Sequence, residues 1–432
     1  MKFYVLRTGH KIAPFNENLD DLPFAESSFS AERERIAQRL GLSLEDVPQE
    51  SRTTLQSPCV VVSENCFISE KALTDFLKRA AGSQSIAQLA LAQTPSSDYT
   101  RPVSSVMVDA LEPSGLGAKA KNAKGPEADA THRVRVHCYY VPPEQSAETF
   151  DGILDHFQDE AQPVVVPKRE ILIPLQLPLW GAEVDRTFNY PITSTVACHV
   201  DHWVNLLWLN QLAFAIRWNE TVRAHPIWAM AKVLRAGSLK PEKILPRLNR
   251  FGRACKVHPT AYVEGCILGD NVSIGAKATL RNCIVGNNVT IEDHANVLSS
   301  VLANDVYVTP KTFVIWSLAD RGAVISNYKL QVSILGKNAA TSTWAGLIDA
   351  KLTGDVDIFH EGHKVSTERQ FLGSCIGHNA YIGAKVLIMP GRAVPNDAFV
   401  AMRSDELIST IPHEMPAGVP HMRDGGTLVP IK

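Results

Sequence analysis

The sequence lacks several features that would assign it directly to a class of protein. Its eight cysteines include no Cys-x-x-Cys pair, and its 43 basic and 45 acidic residues leave a net charge of only −2. This balance gives no electrostatic footprint for nucleic acid or for an anionic membrane surface. No Walker loop, dinucleotide-binding fingerprint or Ser-His-Asp motif is present. We therefore expect a small-molecule ligand and no nucleic-acid partner.

Long hydrophobic runs are also absent. The most apolar run, 203–216, is interrupted by Asn205 and Asn210 and is shorter than the ~20 residues that a membrane span requires. The first residues lack the apolar core of a signal peptide. We therefore expect a cytoplasmic protein without a membrane span, in which the isolated cysteines are small buried hydrophobic residues.

The first half of the chain alternates predicted strands and helices. With 432 residues, of which 45% are hydrophobic and 20% charged, the chain is long enough for two or three globular domains. Strands are predicted at 2–6, 59–62, 103–110, 132–140 and 171–175, and helices at 31–40, 70–81 and 150–157. This order indicates an α/β domain. A flexible loop is predicted near 112–131, and a helix over 195–218, with a wide apolar face, is expected to pack between the two halves.

An internal repeat begins at Phe251. Apolar residues recur in steps of six, six and five, which defines a 17-residue frame. The twelve apolar positions are Phe251, Val257, Val263, Leu268, Ile274, Leu280, Val285, Ile291, Val297, Leu302, Val308 and Val314. Turn residues such as Gly269-Asp270-Asn271 lie between them. Three short strands joined by corners close one triangular coil, and stacked coils bury the apolar residues, so the repeat predicts a left-handed parallel β-helix.

The frame resumes after a break. Leu335, Thr341 and Leu347, followed by Leu352 and Ile358, are predicted to keep it, and six-residue steps then continue from Ile376 to Val400. The polar segment between Ile358 and Ile376 is out of frame, so we expect a functional loop that leaves a corner of the prism. The predicted organisation is an α/β domain at 1–194, a helical connector at 195–250, a β-helix at 251–402 with a loop at 359–375, and a capping tail at 403–432.

The order of an α/β domain and a hexapeptide prism resembles the sugar-nucleotide pyrophosphorylases. It is most similar to the bifunctional uridyltransferase/acetyltransferase family that makes UDP-N-acetylglucosamine. The motifs that carry this resemblance are the coils at 251–318 and 376–400. The resemblance implies a nucleotidyltransferase-like N-terminal domain and, through the prism, a homotrimer.

For nucleotidyl transfer the resemblance points to the loop after the first strand. The family binds nucleotide phosphates there with a glycine-rich turn, because backbone N–H groups must approach the oxygens closely. Arg7 and Lys11 lie in the equivalent segment, which has one glycine. Glu64, or Asp109 as a second candidate, would stand where the family holds Mg²⁺ against a nucleoside triphosphate. Nucleotidyl transfer is therefore one of the alternative functions.

For acyl transfer from acyl-CoA, the family's histidine base follows a Gly-Lys-Gly-Ser stretch. The equivalent stretch here, 336–344, contains no histidine. His360 and His363 lie instead on the predicted loop, and a histidine is the side chain best suited to deprotonate a sugar hydroxyl or an amine. The resemblance places such sites between neighbouring prisms. No third ligand accompanies this pair, so we expect no metal.

Further candidates are isolated residues. Trp344 and Trp316 are large for a solenoid face and would line a ligand groove or a subunit interface, and Lys385 and Arg392 would meet a coenzyme A phosphate or form a solvated basic face. His199, Asp201 and His202 are expected to begin the connector helix, with both histidines on one face, as a buried hydrogen-bonded cluster.

Three functions remain open at this point. The first is acyl transfer to a small sugar or amine acceptor with His360 or His363 as base. The second is sugar-1-phosphate nucleotidyl transfer through Arg7, Lys11 and Glu64. The third is a non-catalytic trimeric binding or scaffold protein, which the missing glycines and the missing histidine near Thr343 favour.

Overall fold

The computed structural model describes most of the chain. The described residues are 1–48, 50, 52–100, 133–145, 147–149, 153–176, 187–237, 241–244, 247–326, 329–408 and 410–431. The predicted strand at 103–110, the predicted loop at 112–131 and the candidate Asp109 lie outside them.

The N-terminal half is an α/β domain, as predicted. Its strands are β1 (Lys2–Arg7), β2 (Pro23–Phe24), β3 (Ser27–Ser28), β4 (Ser43–Pro48), β5 (Thr54–Leu55), β6 (Cys59–Ser63), β7 (Cys66–Ile68), β8 (Ala87–Ala92), β9 (Arg133–Val141), β10 (Ala147–Glu148), β11 (Gln162–Val166), β12 (Ile171–Gln176), β13 (Thr187–Ile192) and β14 (Ala197–His199). Its helices are α1 (Phe29–Arg39), α2 (Glu70–Ala80) and α3 (Ile153–Glu160).

The main sheet has six strands in the order β11-β8-β9-β6-β1-β4. Strand β9 is antiparallel to both of its neighbours, and the other pairs are parallel. The chain passes from β1 to β4 on one side and then returns to β6 on the other side of β1. In open α/β sheets such a reversal opens a crevice at the carboxyl ends of the two strands, where ligands bind. We call this place the switch-point crevice.

Local sequence explains which elements were predictable. Helices α1 and α2 are capped by Ser28 and Ser69, whose side chains accept the backbone N–H of Ala31 and Ala72. Strands β4 and β8 were not predicted. The first, Ser-Leu-Glu-Asp-Val-Pro, is a largely polar edge strand, and the second, Ala-Gln-Leu-Ala-Leu-Ala, is rich in residues that favour helices. Pairing in the sheet overrides that preference.

The connector begins differently from the prediction. Instead of a helix from 195, the chain forms β14, which pairs antiparallel with β7, and the helix α4 (Trp203–Ala224) starts after it. Two helices, α5 (Pro226–Ala236) and α6 (Pro241–Ile244), follow. No helix in the described part of the chain is long and apolar enough to span a membrane.

The second half is a left-handed β-helix with three parallel faces, as predicted. The eight-stranded face consists of β15 (Lys256–Val257), β18 (Ser273–Ile274), β21 (Thr290–Ile291), β24 (Tyr307–Val308), β27 (Val324–Ile325), β30 (Ala340–Thr341), β35 (Tyr381–Ile382) and β38 (Phe399–Val400). The seven-stranded face consists of β17 (Ile267–Leu268), β20 (Ile284–Val285), β23 (Val301–Leu302), β26 (Leu318–Ala319), β29 (Ile334–Leu335), β34 (Cys375–Ile376) and β37 (Ala393–Val394). The five-stranded face consists of β16 (Tyr262–Glu264), β19 (Thr279–Arg281), β22 (Asn296–Leu298), β25 (Phe313–Ile315) and β28 (Lys329–Gln331), followed by the separate pair β31 (Gly346–Leu347) and β36 (Leu387–Ile388).

The frame residues line the interior of the prism. From Leu268 to Val314 each apolar position of the 17-residue frame is buried, and consecutive coils pair in that register, for example Ile274 with Ile291. The first coil is an exception, because Phe251 is 47% exposed and Val257 36% exposed at the open end of the stack. The inner positions of the coils between the two ends of the stack are covered on both sides by their neighbours, as expected for a solenoid.

The insertion in the prism is longer than predicted. Leu352 is 97% exposed and does not continue the frame, and Ile358 is buried outside the prism, against the connector helix. The chain leaves the prism near Ala350, which pairs with Phe371, and β29 stacks directly on β34. The 17-residue spacing from Leu335 to Leu352 is a coincidence. Within the insertion, β32 (Asp357–His360) and β33 (His363–Ser366) form a hairpin, and the tail carries a second one, β39 (His421–Asp424) with β40 (Thr427–Pro430).

Helix α4 packs between the two halves, as predicted. The outward residues of the seven-stranded face, such as Ile284, Val301 and Leu318, are buried with Leu209 and Leu212 of α4 in one hydrophobic cluster. Along the same contact, the Gln211 side chain donates to the carbonyl of Trp316 at 2.9 Å. One face of the prism is therefore covered by the chain's own connector, and the described residues leave outward side chains such as Tyr307 and Phe313 exposed on the other two faces.

Candidate functional site

The switch-point crevice contains Glu64, which lies directly after β6. One oxygen of its carboxylate, Oε1, accepts three hydrogen bonds from the loop after β1. The donors are the Thr8 N–H at 3.0 Å, the Thr8 hydroxyl at 2.6 Å and the His10 N–H at 2.6 Å. The other oxygen, Oε2, is buried and has no hydrogen-bond partner among the described residues. Glu64 thus organises the loop that the sequence analysis identified.

The two predicted basic residues of this loop differ in availability. Arg7 forms ion pairs with Asp20 at 2.5 Å and with Asp46 at 2.8 Å, and it lies 3.9 Å from Glu64 Oε2. Lys11 is exposed at the end of the loop. The structure therefore brings Arg7 and Glu64 together, with Arg7 already compensated by two carboxylates.

Residues that the sequence analysis did not assign to this crevice complete it. The Asn65 side chain donates to Asp201 Oδ1, and His10 Nε2 lies 3.9 Å from the same oxygen. His10 Nε2 is a second buried polar atom without a hydrogen-bond partner in the described part of the chain. The proximity of Asp201 could be found only in three dimensions, because 136 residues separate it from Asn65.

His199 and His202 are buried, as predicted, but they do not share a helix face. His199 ends β14 and accepts the N–H of His137 at 3.0 Å, and His202 is the N-cap of α4. The His202 ring accepts the Val204 N–H through Nδ1 at 3.3 Å, which assigns its proton to Nε2, and Nε2 donates to the carbonyl of Phe359 at 3.1 Å. His202 therefore anchors the β32/β33 hairpin, which we call the prism hairpin, to the connector helix.

The buried histidines predict a loss of stability in acid. Burial lowers the pKa of His202 to about 4 and that of His199 to about 4. Because an unfolded histidine titrates near pH 6.5, the unfolded state binds more protons below that pH, so the stabilisation is complete above about pH 6.5 and is lost as the pH falls toward 4. We expect His202→Asn, which keeps a capping side chain, to reduce this loss by about 3 kcal/mol, since each pKa unit corresponds to 1.36 kcal/mol.

Chemical denaturation between pH 7 and pH 4 measures this effect. The matched control is His258→Asn, at an exposed position of the first coil, which should leave the pH dependence unchanged. Parallel pH dependence of the wild-type protein and His202→Asn would contradict the assignment.

The prism hairpin carries both predicted histidine candidates. His360 and His363 are paired across β32 and β33. The His360 ring lies 5.6 Å from the His202 ring, and its Nε2 is buried without a hydrogen-bond partner among the described residues. His363 is exposed beside the turn. The insertion is therefore not a loop extended into solvent but a hairpin folded back on the chain's own connector.

The turn fixes the state of the His363 ring. Glu361 and Gly362 both have positive φ, 48° and 79°, as a two-residue type I′ turn requires. The His363 ring nitrogen Nδ1 lies 2.9 Å from the Glu361 carbonyl oxygen. Since a carbonyl accepts only, Nδ1 carries the proton and Nε2 presents a lone pair to solvent. The Glu361 carbonyl thus holds the His363 ring in the tautomer whose Nε2 can accept a proton.

The remaining candidates lie at two other places on the prism. Trp344 and Lys385 occupy the same corner in consecutive coils, where the Lys385 N–H donates to the Thr343 carbonyl at 3.2 Å, and Trp344 is 59% exposed. Arg392 contacts the hairpin instead, with its guanidinium 5.7 Å from the Phe359 ring centroid. The structure brings Trp344 and Lys385 together and separates them from Arg392.

A further contact between the halves involves residues that the sequence analysis missed. Side chains of one prism corner form a ladder in which Asp270, Asn287 and Asn304 each accept the N–H of the preceding coil. The next two coils carry Arg321 and Lys337 at this place, which interrupts the ladder, and Lys337 forms an ion pair at 2.6 Å with Glu17. The interruption was a readable signal, because a lysine replaces an amide-accepting side chain at a fixed place in the repeat. The loop after β1 is therefore held by Glu64 at one end and by the prism at the other.

No group of three or more His, Cys, Asp or Glu side chains in the described part of the chain is arranged to hold a metal ion. All eight cysteines are free thiols, and each is buried except the half-buried Cys255. The prediction that they serve as small hydrophobic residues is confirmed.

Comparison with known proteins identifies the repeat. Residues 251–306 match the family model described as "GlmU-like, C-terminal hexapeptide". A search of curated proteins gave no match. A solved structure from Bacillus cereus, described as a "putative acetyltransferase", is similar at 16% identity over 33% of this chain and 78% of its own, with a TM-score of 0.12. These values are too low to extend that protein's activity to this chain, whereas the family match agrees with the hexapeptide-repeat fold.

Proposed function

We propose that this hexapeptide-repeat protein transfers an acyl group from acyl-CoA to a small sugar or amine acceptor. The observation that carries the proposal is the fixed tautomer of His363, whose Nδ1 lies 2.9 Å from the Glu361 carbonyl. This arrangement leaves Nε2 free to accept a proton and exposes it at the tip of the hairpin. His360, whose Nε2 is buried, supports the hairpin from behind through its contact with His202.

The proposed reaction needs one proton acceptor and one leaving group. His363 Nε2 takes the proton of the attacking hydroxyl or amine, whose oxygen or nitrogen bonds to the thioester carbonyl. The carbon–sulfur bond then breaks. The protonated His363 gives its proton to the coenzyme A thiolate, which leaves as the thiol. We assign the acyl-CoA contact to the Trp344/Lys385 corner, which offers an exposed aromatic ring and a cation to the adenine ring and the phosphates.

The two parts of this site come from different corners of the prism. Trp344 and Lys385 lie between the eight-stranded face and the β31/β36 pair. The insertion that carries the hairpin leaves the prism at another corner, after β31. A neighbouring copy would bring its own Trp344/Lys385 corner to the hairpin. We therefore propose a homotrimer through the prism, with each site shared by two subunits.

An exposed apolar stripe on the eight-stranded face supports this assembly. Its residues are Tyr307, Val324, Tyr381 and Phe399, and the last is 81% exposed. We expect Phe399→Asp to raise the dissociation constant of the trimer by roughly 10-fold or more, because it replaces the most exposed aromatic side chain of the stripe by a charge, and loss of an aromatic anchor from an interface costs about 2 kcal/mol or more. Sedimentation velocity measures this change, and Phe313→Asp on the five-stranded face is the matched control. A wild-type protein that is monomeric at micromolar concentration would contradict the trimer.

The second candidate is sugar-1-phosphate nucleotidyl transfer with Mg²⁺ and a nucleoside triphosphate. It is favoured by the strand order, which places Arg7, Lys11 and Glu64 at the switch-point crevice. Against it, the loop N–H groups that would hold the phosphates donate to Glu64. Acyl transfer is therefore the better supported of the two.

A thermal-shift screen separates these functions, because a ligand that binds only the native state raises its stability. The purified protein is tested with acetyl-CoA, with free coenzyme A, and with each nucleoside triphosphate plus Mg²⁺. A shift with coenzyme A alone supports acyl transfer, and a shift with one nucleotide supports the second candidate. No shift with any of them would overturn both and leave a trimeric binding or scaffold protein.

A further inference from the structure

We propose that Glu64 acts as a built-in anion, which fills the anion-binding loop of the N-terminal domain and restricts the switch-point crevice to ligands without phosphate groups. The inference concerns the specificity of the N-terminal domain and does not depend on acyl transfer by the prism. It follows from the donors that surround the Glu64 carboxylate.

The loop after β1 has the geometry of an anion-binding loop. Two backbone N–H groups, of Thr8 and His10, and the Thr8 hydroxyl converge on a single point within 2.6 to 3.0 Å. Converging backbone N–H groups after a strand form a concave anion site, the arrangement by which many proteins bind phosphate. In this protein the point of convergence is Oε1 of Glu64. The chain itself supplies the anion that such a loop would otherwise take from a ligand.

Glu64 is held firmly in this position. Its side chain is 2% exposed, and displacement would leave three polar donors without an acceptor inside the protein. The nearby cations do not neutralise the charge of Glu64, since Arg7 pairs with Asp20 and Asp46, and Arg33 pairs with Asp20. A phosphate entering the crevice would therefore meet the charge of Glu64, while Arg7 and Arg33 are already paired with carboxylates.

A second carboxylate, that of Asp201, reinforces the negative charge of the crevice. Asp201 lies 3.9 Å from His10 Nε2 at the edge of the crevice. Further along the carboxyl edge of the sheet, after β8 and β11, the Glu170 carboxylate accepts the Ser96 N–H at 3.2 Å and the Ser96 hydroxyl. There the Lys168 ammonium lies 3.1 Å from the same hydroxyl, so a cation accompanies that carboxylate. At this crevice, Glu64 Oε2 and His10 Nε2 are buried without a hydrogen-bond partner among the described residues, and they suit the hydroxyl or amino groups of a neutral or cationic polar molecule.

The test is a gain of anion binding. Pyrophosphate is titrated by isothermal calorimetry into the wild-type protein, Glu64→Ala and the control Glu45→Ala, which removes an exposed glutamate at the surface of the same sheet. We expect no binding to the wild-type protein or to Glu45→Ala at about 10 mM pyrophosphate, and binding at least about 10-fold tighter to Glu64→Ala, as removal of the built-in anion frees the loop donors.

Two results would overturn the proposal. One is a wild-type protein that binds pyrophosphate as tightly as Glu64→Ala, and the other is a folded Glu64→Ala variant that does not bind it. If Glu64→Ala does not fold, hydrogen exchange of the Thr8 and His10 amides in the wild-type protein decides. Exchange that pyrophosphate leaves unchanged supports the proposal, whereas exchange slowed by pyrophosphate contradicts it.

Discussion

Replacement of His363 by alanine is expected to lower kcat for acyl transfer by a factor of about 10²–10⁴, the usual contribution of a general base. The reason is that Nε2 of His363 is the exposed proton acceptor of the hairpin, while Nδ1 is committed to the Glu361 carbonyl. KM for acyl-CoA should change little, because the proposed acyl-CoA contact is the Trp344/Lys385 corner of another subunit. The rate is followed through the release of free coenzyme A thiol with a panel of sugar and amine acceptors.

The tail supplies a matched control for this experiment. His421 is a second histidine whose Nδ1 lies 2.8 Å from a carbonyl two residues earlier, that of Val419. It has the same local hydrogen bond but lies in the tail and not in the β32/β33 hairpin, so His421→Ala should retain full activity. If His360→Ala loses activity while His363→Ala keeps it, the base is His360, and if both keep it, the hairpin is not the catalytic element.

The second large effect concerns stability. We expect Arg217→Met to destabilise the protein by about 3–5 kcal/mol, because it removes one of the two arginines that pair with the buried carboxylate of Glu32. Arg217 of α4 is buried and forms ion pairs with Glu32 at 2.8 Å, Glu26 at 3.0 Å and Glu220 at 3.2 Å. Burial alone would raise the pKa of Glu32, but hydrogen bonding to Arg35 and the charge of Arg217 hold that pKa below its usual value. Without Arg217, only Arg35 is left to offset the cost of burying Glu32.

Thermal and chemical unfolding measure this loss. Adding Glu32→Gln to the Arg217→Met variant should restore part of the stability, because it removes the buried carboxylate charge that Arg217 no longer pairs with. The control is Arg253→Met, which breaks the pair with Asp270 on a side chain that is 91% exposed and should leave Tm unchanged. Equal effects of Arg217→Met and Arg253→Met would show that the network around Glu32 does not hold α4 to the N-terminal domain.

The success of the sequence analysis varied with the range of the interactions. The coils from Leu268 to Val314 were predictable because each position of the repeat has the same neighbours in the coils above and below it. Helix α2 was predictable to within one residue, since Ser69 and the apolar face mark it locally. Strands β4 and β8 were not, because their place depends on the rest of the sheet rather than on their own residues.

In the candidate site, too, the residue types were predictable from the sequence, whereas the contacts between distant residues were not. Arg7 and Glu64 were found through the resemblance to the pyrophosphorylases, and the structure places them at the end of β1 and directly after β6, at the carboxyl ends of strands where ligand residues occur. The acceptor role of Glu64 toward Thr8 and His10 was not visible, since it depends on distances between residues more than 50 positions apart. The histidines of the hairpin were found as residue types, but their different exposure was not.

By itself, the sequence determined the β-helix, the α/β class of the N-terminal domain and the residues available for chemistry. Those properties arise from periodicity and local preference, which are written along the chain. Only the tertiary structure decided that the hairpin folds back on α4, that one face of the prism is covered, and that Glu64 fills its own loop. Each of these depends on packing between segments far apart in sequence, and such contacts form only when the two halves are brought together around the connector helix.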